Sequence, residues 1–537
     1  MSRPDLLHEK LPLQEEARGF SEALTFGFAR GVEQGHLLKL TAPPLAETSF
    51  RRSSFANDLF LNELIRGSFP VISSEGKVAS SPDYFLRVLS SPPKSHEDIA
   101  FRQNIFKELS SDPQRWHLLK EAHGQLRDFC DAFCGADHIS APSVGVKRRI
   151  DILIAYRDAL HALTSLGEKS SSGLVRVAGW AKEIQGRENY LQLQHLLSFE
   201  DTRATIDARL QVGYDGELRR LTIVSLSHSS HSAFPRSHIL RFFKRVISLL
   251  KGYRFSEEDV MSQLLDRVFS NIEKDVYYLL GVYQQIEFYL RGMAFYSQSN
   301  KRGQDICLPK VLPLAGVAKQ RRLEGLFNPW LLAQGVSAIP CDLMCDDAHH
   351  VTIVSGPNSG GKTRLLQSLA ITQLLAQGGL FVPAKVAVLP QVEQLFLSLL
   401  EKSEAEQDEG RLGVELMRVR EVFEQSGPRS LVLMDELCSG TNPSEGEQIF
   451  DMVLGLFDEL RPQVFITTHF LDFAHRIAQE NRPRLKFLQV EIDERQLPTY
   501  QFLPGVAQTS LARNTATRLG VTRDELMRLI HKHQRLS

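Results

Sequence analysis

An apolar, β-branched run, Val351-Thr-Ile-Val354, leads through Ser355 into Gly356, Pro357, Asn358, Ser359, Gly360, Gly361, Lys362 and Thr363. The order is GxxxxGK[ST], directly after a strand and directly before an apolar helix, Leu365–Leu375. No other feature restricts the fold as strongly. Glycines let backbone N–H groups turn inward on a polyphosphate, and the following helix presents its positive end. The lysine ammonium then reaches the β- and γ-phosphates and the threonine hydroxyl ligates Mg²⁺. This chemistry assigns Gly356 through Thr363, with the adjoining Arg364, to ATP, Lys362 to a catalytic role and Thr363 to the metal. An ordinary glycine-rich turn would need neither the strand before it nor the helix after it.

A second apolar run, Ser430-Leu-Val-Leu-Met434, ends in Asp435-Glu436, and a third, Gln463–Ile466, ends in Thr467-Thr468-His469. A buried strand of this kind delivers Asp435 to Mg²⁺ and places Glu436 by the water that attacks the γ-phosphate, as general base. His469, at the end of the next strand, is placed to sense or polarise the γ-phosphate. Asp-Glu after apolar residues is common by chance; its position downstream of the glycine loop is what gives it meaning.

With 537 residues the chain is too long for one core and accommodates about two to four domains. Its 63 lysines and arginines balance 64 aspartates and glutamates, so no global field draws it to a polyanion, and contact with nucleic acid must come from a local patch. The opening residues lack a cationic stretch followed by an apolar one, which reads as no secretory signal and a cytoplasmic protein. The longest apolar stretch, Leu365 to Val382, carries Gln367, Gln373 and Gln377 and reads as a buried helix, with no membrane partner. Cys130, Cys134 and His138 fall at i, i+4 and i+8, and Cys341 and Cys345 precede His349 and His350, but neither group has the CxxC pairs of a zinc site. These thiols read as small core hydrophobes.

Up to about residue 320 the periodicity is helical, as in Ile99–Leu109, Ile150–Leu166 and Ser256–Phe295. Strict alternation from Ala204 to Val212, a turn at Asp215-Gly216 and renewed alternation at Leu221 and Ile223 predict a β-hairpin inside that helical region. After Pro309 and Pro313, short apolar runs alternate with helices, the pattern of a parallel sheet with crossovers. Near the end, a helix over about Ser510–Leu519 stops at Gly520, and Thr522-Arg-Asp-Glu525 forms a capping box for a last helix. The boundaries that follow are an N-terminal helical segment 1–95, a helical region 96–320 with the hairpin insertion near 200–230, a region of alternating strands and helices 321–503, and a C-terminal helix-turn-helix 504–537.

Gly356–Thr363, Gly379-Leu-Phe-Val-Pro-Ala384, Asp435-Glu-Leu-Cys-Ser-Gly-Thr-Asn442 with Glu445-Gly446, and Thr467-Thr-His-Phe470 occur in the order and spacing of the MutS family of mismatch-repair ATPases, which this chain resembles. Phe101-Arg-Gln-Asn-Ile-Phe106 with Asp112-Pro113 is similar to the start of that family's helical core, and Ile339–Leu343 to the strand entering its ATPase domain. The resemblance is strong over about 323–525 and weaker over about 95–300. It implies an α/β, ABC-like P-loop ATPase domain at the C-terminus, preceded by a mainly α-helical core/lever domain with a small β-insertion. It also implies a homodimer paired through the ATPase domains and the C-terminal helix-turn-helix. Within such a dimer Ser439, Gly440, Thr441 and Asn442 would contact the other copy's ATP, and Asn358 would sit against the phosphates.

The chain departs from the family in three places. Asp408-Glu-Gly-Arg-Leu-Gly-Val414 stands where the family has a serine-containing G-x-S-x-F signature, so turnover is either weak or served by the Gly410 backbone and Arg411. Ala338 lies near where an aromatic residue often stacks on adenine. Phe-x-Glu triplets at Phe20, Phe106, Phe255 and Phe457 lack the flanks of the family's mismatch reader, so the chain is expected to lack that N-terminal domain. After the hairpin, Arg236, Arg241, Lys244 and Arg245 interleave with Phe242 and Phe243, which fits either a DNA-contacting patch or the solvated face of an amphipathic helix. The expected function is an ATP- and Mg²⁺-dependent dimeric clamp on duplex or branched DNA in repair or recombination. The alternatives are an ABC-type ATPase with a non-DNA task and a nucleotide-assembled scaffold with little turnover.

Overall fold

The computed structural model describes all residues except 1–3, 11–18, 75, 136–141, 198–203, 213–217, 229–256, 315–319, 346–350, 400–410, 439, 509–520 and 535–537. The chain divides into a helical unit, Met1–Pro44, Val71–Tyr84 and Asn104–Arg291, and a sheet unit, Leu45–Pro70, Phe85–Gln103 and Gly292–Ser537. Helices His96–Ser111 and Glu257–Lys301 supply residues to both.

In the helical unit, helix Pro113–Cys134 shows how local sequence sets an element. Asp112 accepts hydrogen bonds from the N–H groups of Gln114 and Arg115 at 2.9 and 3.1 Å, and Pro113 occupies the first helical position. Its buried face carries Leu119, Ala122, His123, Leu126, Phe129, Cys130 and Phe133, the three- and four-residue spacing of one helical stripe. Cys130 thus packs as a core side chain. Phe28 and Phe133, from two helices, both meet Phe269 of Glu257–Lys301, with ring centroids at 4.1 and 6.1 Å. Arg148 donates to the carbonyls of Gly27 and Phe28 at 2.9 Å each and of Gly135 at 3.0 Å, a cation set on the last carbonyls of two helices. Strands β1 (Val71–Ser73) and β2 (Gly76–Val78) form a short hairpin. A longer one joins β3 (Ala204–Val212) to β4 (Leu218–His228), antiparallel with Leu210 opposite Leu221, as the alternation predicts. The predicted turn at Asp215-Gly216 and the basic stretch Arg236–Arg245 lie outside the described residues.

The sheet unit contains β5 (Lys310–Leu312), β6 (Arg321–Leu326), β7 (Cys341–Cys345), β8 (Val351–Ser355), β9 (Val386–Pro390), β10 (Gln394–Ser398), β11 (Ser430–Met434), β12 (Gln463–Thr468), β13 (Leu485–Ile492) and β14 (Pro498–Pro504). Every residue of β8, β11 and β12 is buried, the mark of strands covered on both faces. They lie in a six-stranded sheet ordered β10-β11-β12-β8-β13-β14, parallel except for β14. On one face Val351, Ile353, Val432, Met434, Val464 and Ile466 pack against Val419 and Val422 of helix Arg411–Gln425, Phe450 and Phe457 of Pro443–Leu460, and Phe473 of Leu471–Gln479. Each buried Val, Ile or Phe contributes about 1.5–3 kcal/mol of transfer free energy.

Helix Lys362–Gly378 packs between this sheet and a second one, β5-β9-β6-β7. It is buried on all sides from Leu365 onward, as the sequence predicts. The three glutamines that argued against a membrane span are each bonded inside. Gln373 accepts from Arg321 at 2.9 Å and donates to the Pro390 carbonyl at 3.1 Å. Gln377 exchanges bonds with the Val392 backbone at 2.8 and 3.0 Å, and Gln367 accepts from Asn328 at 3.4 Å. Among the described residues no helix is long and apolar enough to cross a membrane. Cys341 and Cys345 alternate inward on β7 and are buried.

β10 is an edge strand, and edges of this kind are liabilities unless covered. Residues of Leu45–Pro70 cover it: Ser49 donates to the Glu393 carbonyl at 2.6 Å and Ser54 to that of Leu395 at 2.7 Å. At the chain's end the Thr522 hydroxyl accepts from the Glu525 N–H at 3.4 Å and donates to its carboxylate at 2.7 Å, opening helix Arg523–Gln534 as the capping box predicts. The helix expected at Ser510–Leu519 lies outside the described residues.

Candidate nucleotide site

β8 delivers the glycine loop at the carboxyl end of the parallel strands, where open α/β sheets place ligands. Gly356 has φ 149°, and a Cβ there would lie 2.6 Å from Val490. Gly361 has φ 90° and abuts the Tyr500 ring, which a Cβ would approach to 3.1 Å. Only glycine meets both demands without strain. Between them Gly360 N–H donates to the Pro357 carbonyl at 3.0 Å, and Asn358 and Ser359 are exposed, Ser359 in a left-handed conformation with φ 69°.

Lys362 opens the following helix and is buried. Its Nζ donates to the carbonyls of Gly356 and Pro357 at 2.9 and 3.1 Å. Burial lowers its pKa, against the opposing pull of Glu436 and Asp435. The Thr363 hydroxyl donates to Asp435 Oδ2 at 2.5 Å. Thr467, from the end of β12, donates to the other Asp435 oxygen while its own oxygen accepts the Glu436 N–H at 2.8 Å. One hydroxyl thereby orients both acidic residues. Glu436 is half-buried with φ 47°, and Cys438 has φ 60°, two left-handed non-glycine residues in one turn. Glu415, buried on helix Arg411–Gln425, steadies that turn by accepting the Cys438 N–H at 2.9 Å.

A cavity of about 590 Å³ opens over this arrangement. Asn358, Ser359, Gly360, Gly361, Lys362, Thr363, Arg364, Asp435 and Glu436 form its polar part. Phe327, Leu331, Val336, Ile339, Tyr500 and Phe502 form its apolar part. The size and the combination of charged and apolar lining suit a nucleotide-sized ligand. Sequence reasoning missed the apolar end. Tyr500 and Phe502 sit two apart on β14 and so share a face, a signal that alternation alone carries. Ala338, the position where an aromatic was sought, is buried in a small cluster with Phe327 and Leu332.

The remaining sequence-predicted residues are more dispersed. His469 is half-buried, its ring centroid 4.4 Å from that of Phe470, and it does not line the cavity. Gly440 and Asn442 are exposed and Thr441 is half-buried; Asn442 caps helix Pro443–Leu460 by accepting the Ser444 N–H at 3.0 Å. Ser439 and the segment Asp408–Gly410 lie outside the described residues.

Residues 352–533 match MutS domain V. The chain is 33% identical over 282 residues to the endonuclease MutS2 of Thermus thermophilus, an overlap of 52% of this chain and 36% of that protein. It is 31% identical over 212 residues to the endonuclease MutS2 of Thermomicrobium roseum, covering 38% of this chain and 26% of the relative.

The region 352–533 of the chain is a MutS domain V.

A third relative is the mitochondrial DNA mismatch repair protein MSH1 of Arabidopsis thaliana, 30% identical over 217 residues, 40% of this chain and 19% of that one. The chain spans about a quarter to a third of the length of the MutS2 relatives it matches. Its domain V begins within β8 and ends in the last helix, so the glycine loop, Asp435, Glu436, His469, Tyr500 and Phe502 all fall inside it.

Proposed function

We propose that this chain is an ATPase of ABC-like P-loop fold that binds ATP with Mg²⁺ in the cavity beside Lys362, and that its nucleotide state gates the grip of a homodimer on DNA. The observation that carries this reading is the convergence, on a loop with room for glycine alone, of a buried lysine, a Thr363–Asp435 pair and a half-buried Glu436. The residues fit the ligand. A buried ammonium whose hydrogen-bond partners are two carbonyls favours added negative charge, and Asp435 with Thr363 is a hard oxygen pair suited to Mg²⁺. Bound Mg²⁺ supplies charge neutralisation on the phosphate oxygens. Lys362 places a cation beside the β- and γ-phosphates, Glu436 takes the proton of the attacking water, and Thr467 holds the Asp435 carboxylate and the Glu436 backbone. Tyr500 and Phe502 offer the base an aromatic face. His469, at the end of β12 but outside the cavity lining, is assigned the sensing of the γ-phosphate and no contact within the cavity, and Ser439, Gly440, Thr441 and Asn442 serve the nucleotide of a second copy.

The DNA part of the reading is supported by the relatives, named as endonucleases and a DNA mismatch repair protein, and by Arg236, Arg241, Lys244 and Arg245 beside two phenylalanines. The serine-free segment Asp408–Val414 favours a second reading, a nucleotide-assembled protein with little turnover. One set of measurements separates these. Glu436→Gln is expected to lower ATP turnover by about 10²–10⁴-fold while ATP binding persists; unchanged turnover removes Glu436 as the base. Binding to duplex, mismatched and branched DNA across a salt series, with and without ATP, is expected to weaken steeply with salt. Absence of salt-sensitive binding to all three excludes the clamp.

A further inference from the structure

Asp58 lies far from the motifs in sequence, in the segment that covers the edge of the six-stranded sheet, and its carboxylate is largely buried, 12% exposed. Oδ2 accepts the Leu399 N–H at 2.9 Å, and the two oxygens receive Arg418 Nη1 and Nη2 at 3.1 and 3.4 Å. Leu399 directly follows β10, and the carbonyl of its neighbour Ser398 accepts the backbone N–H of Asp435 at 2.8 Å. Asp58 therefore terminates β10 at the rung that holds the metal-side carboxylate. Arg418 also reaches the Leu399 carbonyl at 3.4 Å, and it belongs to the helix whose Glu415 steadies Cys438. The left-handed turn at Glu436 and Cys438 is thus flanked by two holds, Glu415 of the helix on Cys438 and the Ser398 carbonyl of β10 on Asp435, and Asp58 joins that helix to the strand end.

From this geometry we infer that Asp58, through Leu399 and Arg418, is a positioning residue for the Asp435-Glu436 turn and so for Mg²⁺ binding. The inference rests on the nucleotide-site reading above. A charge-assisted bond to a backbone N–H, shared with a guanidinium, is strong and directional, and groups that orient metal-side carboxylates typically change metal affinity by about 10–100-fold when removed. Ser49 provides an internal control: it bonds the same segment to the same strand at the Glu393 carbonyl, before the strand begins and away from Asp435.

The test titrates Mg²⁺ against full-length protein and follows binding of a fluorescent ATP analogue by anisotropy, with steady-state turnover and thermal unfolding in parallel. Asp58→Ala is expected to raise the Mg²⁺ concentration at half-saturation by roughly tenfold and to lower kcat more than it raises the KM for ATP at saturating Mg²⁺. Asp58→Asn, which keeps an acceptor for Leu399 and loses the ion pair, is expected to shift the midpoint less. Ser49→Ala is expected to leave it in place. A midpoint unmoved in both Asp58 variants overturns the inference, and so does an equal shift in Ser49→Ala, since that marks general loosening of the segment. Wild-type protein whose nucleotide binding ignores Mg²⁺ refutes the site reading itself, and this inference with it.

Discussion

Lys362 and Tyr500 both line the cavity, one with a charge and one with an aromatic face, and are expected to make separable contributions. Loss of the ammonium in Lys362→Ala should weaken ATP binding by about 1.5–3 kcal/mol, the range for a hydrogen bond to a charged group. Calorimetry checks this, and an unchanged Kd would take Lys362 out of the site. Tyr500→Leu should cost ATP about 1–3 kcal/mol, as for base stacking on an aromatic ring, while leaving inorganic triphosphate unaffected. Equal losses for the two ligands would mean that Tyr500 acts through the loop it touches at Gly361 and not through the base. Glycine, lysine, threonine and acidic positions of this site were legible in the sequence because local backbone chemistry dictates them. For Tyr500 the alternation carries only the face it shares with Phe502, and gives no hint of which loop that face will meet.

At the level of elements, helix Lys362–Gly378 explains how a segment rich in apolar residues carries three glutamines. Its neighbours on the second sheet and the connecting loops present backbone groups and Arg321, and glutamine reaches them. Arg321 is fully buried on β6, shares its guanidinium between Gln373 and Gln463, and has its pKa pushed down to about 10 by burial. It stays charged at neutral pH. Gln373→Leu therefore leaves a buried cation short of an acceptor and should destabilise the sheet unit by about 3 kcal/mol or more, read as a lower denaturant midpoint. The capping box makes a smaller claim. Thr522→Ala should cost helix Arg523–Gln534 roughly 1 kcal/mol, visible as faster amide exchange in its first turns.

For the whole molecule, the exposed apolar side chains of that last helix bear on assembly: Leu526, Met527, Leu529 and Ile530 are each between 42% and 52% exposed. Under the proposed homodimer, Leu529→Glu with Ile530→Glu should weaken self-association in sedimentation experiments without altering ATP affinity, and an unchanged oligomeric state would remove this helix from the interface. The sequence by itself determined the strands and helices around the loop, because short, mostly apolar runs that end in turn or charged residues leave a buried parallel strand as the economical solution. It also determined the hairpin β3–β4, through period-two alternation, and the caps at Asp112 and Thr522, through side chains that bond backbone groups two or three residues away. The tertiary structure alone decided that Leu45–Pro70 covers β10, that Asp58 meets Leu399 and Arg418, and that Tyr500 and Phe502 close the cavity. Each of these joins residues more than a hundred positions apart, and no periodicity or local bond records such a pairing; only the packing of sheet edges and helices brings the partners within reach.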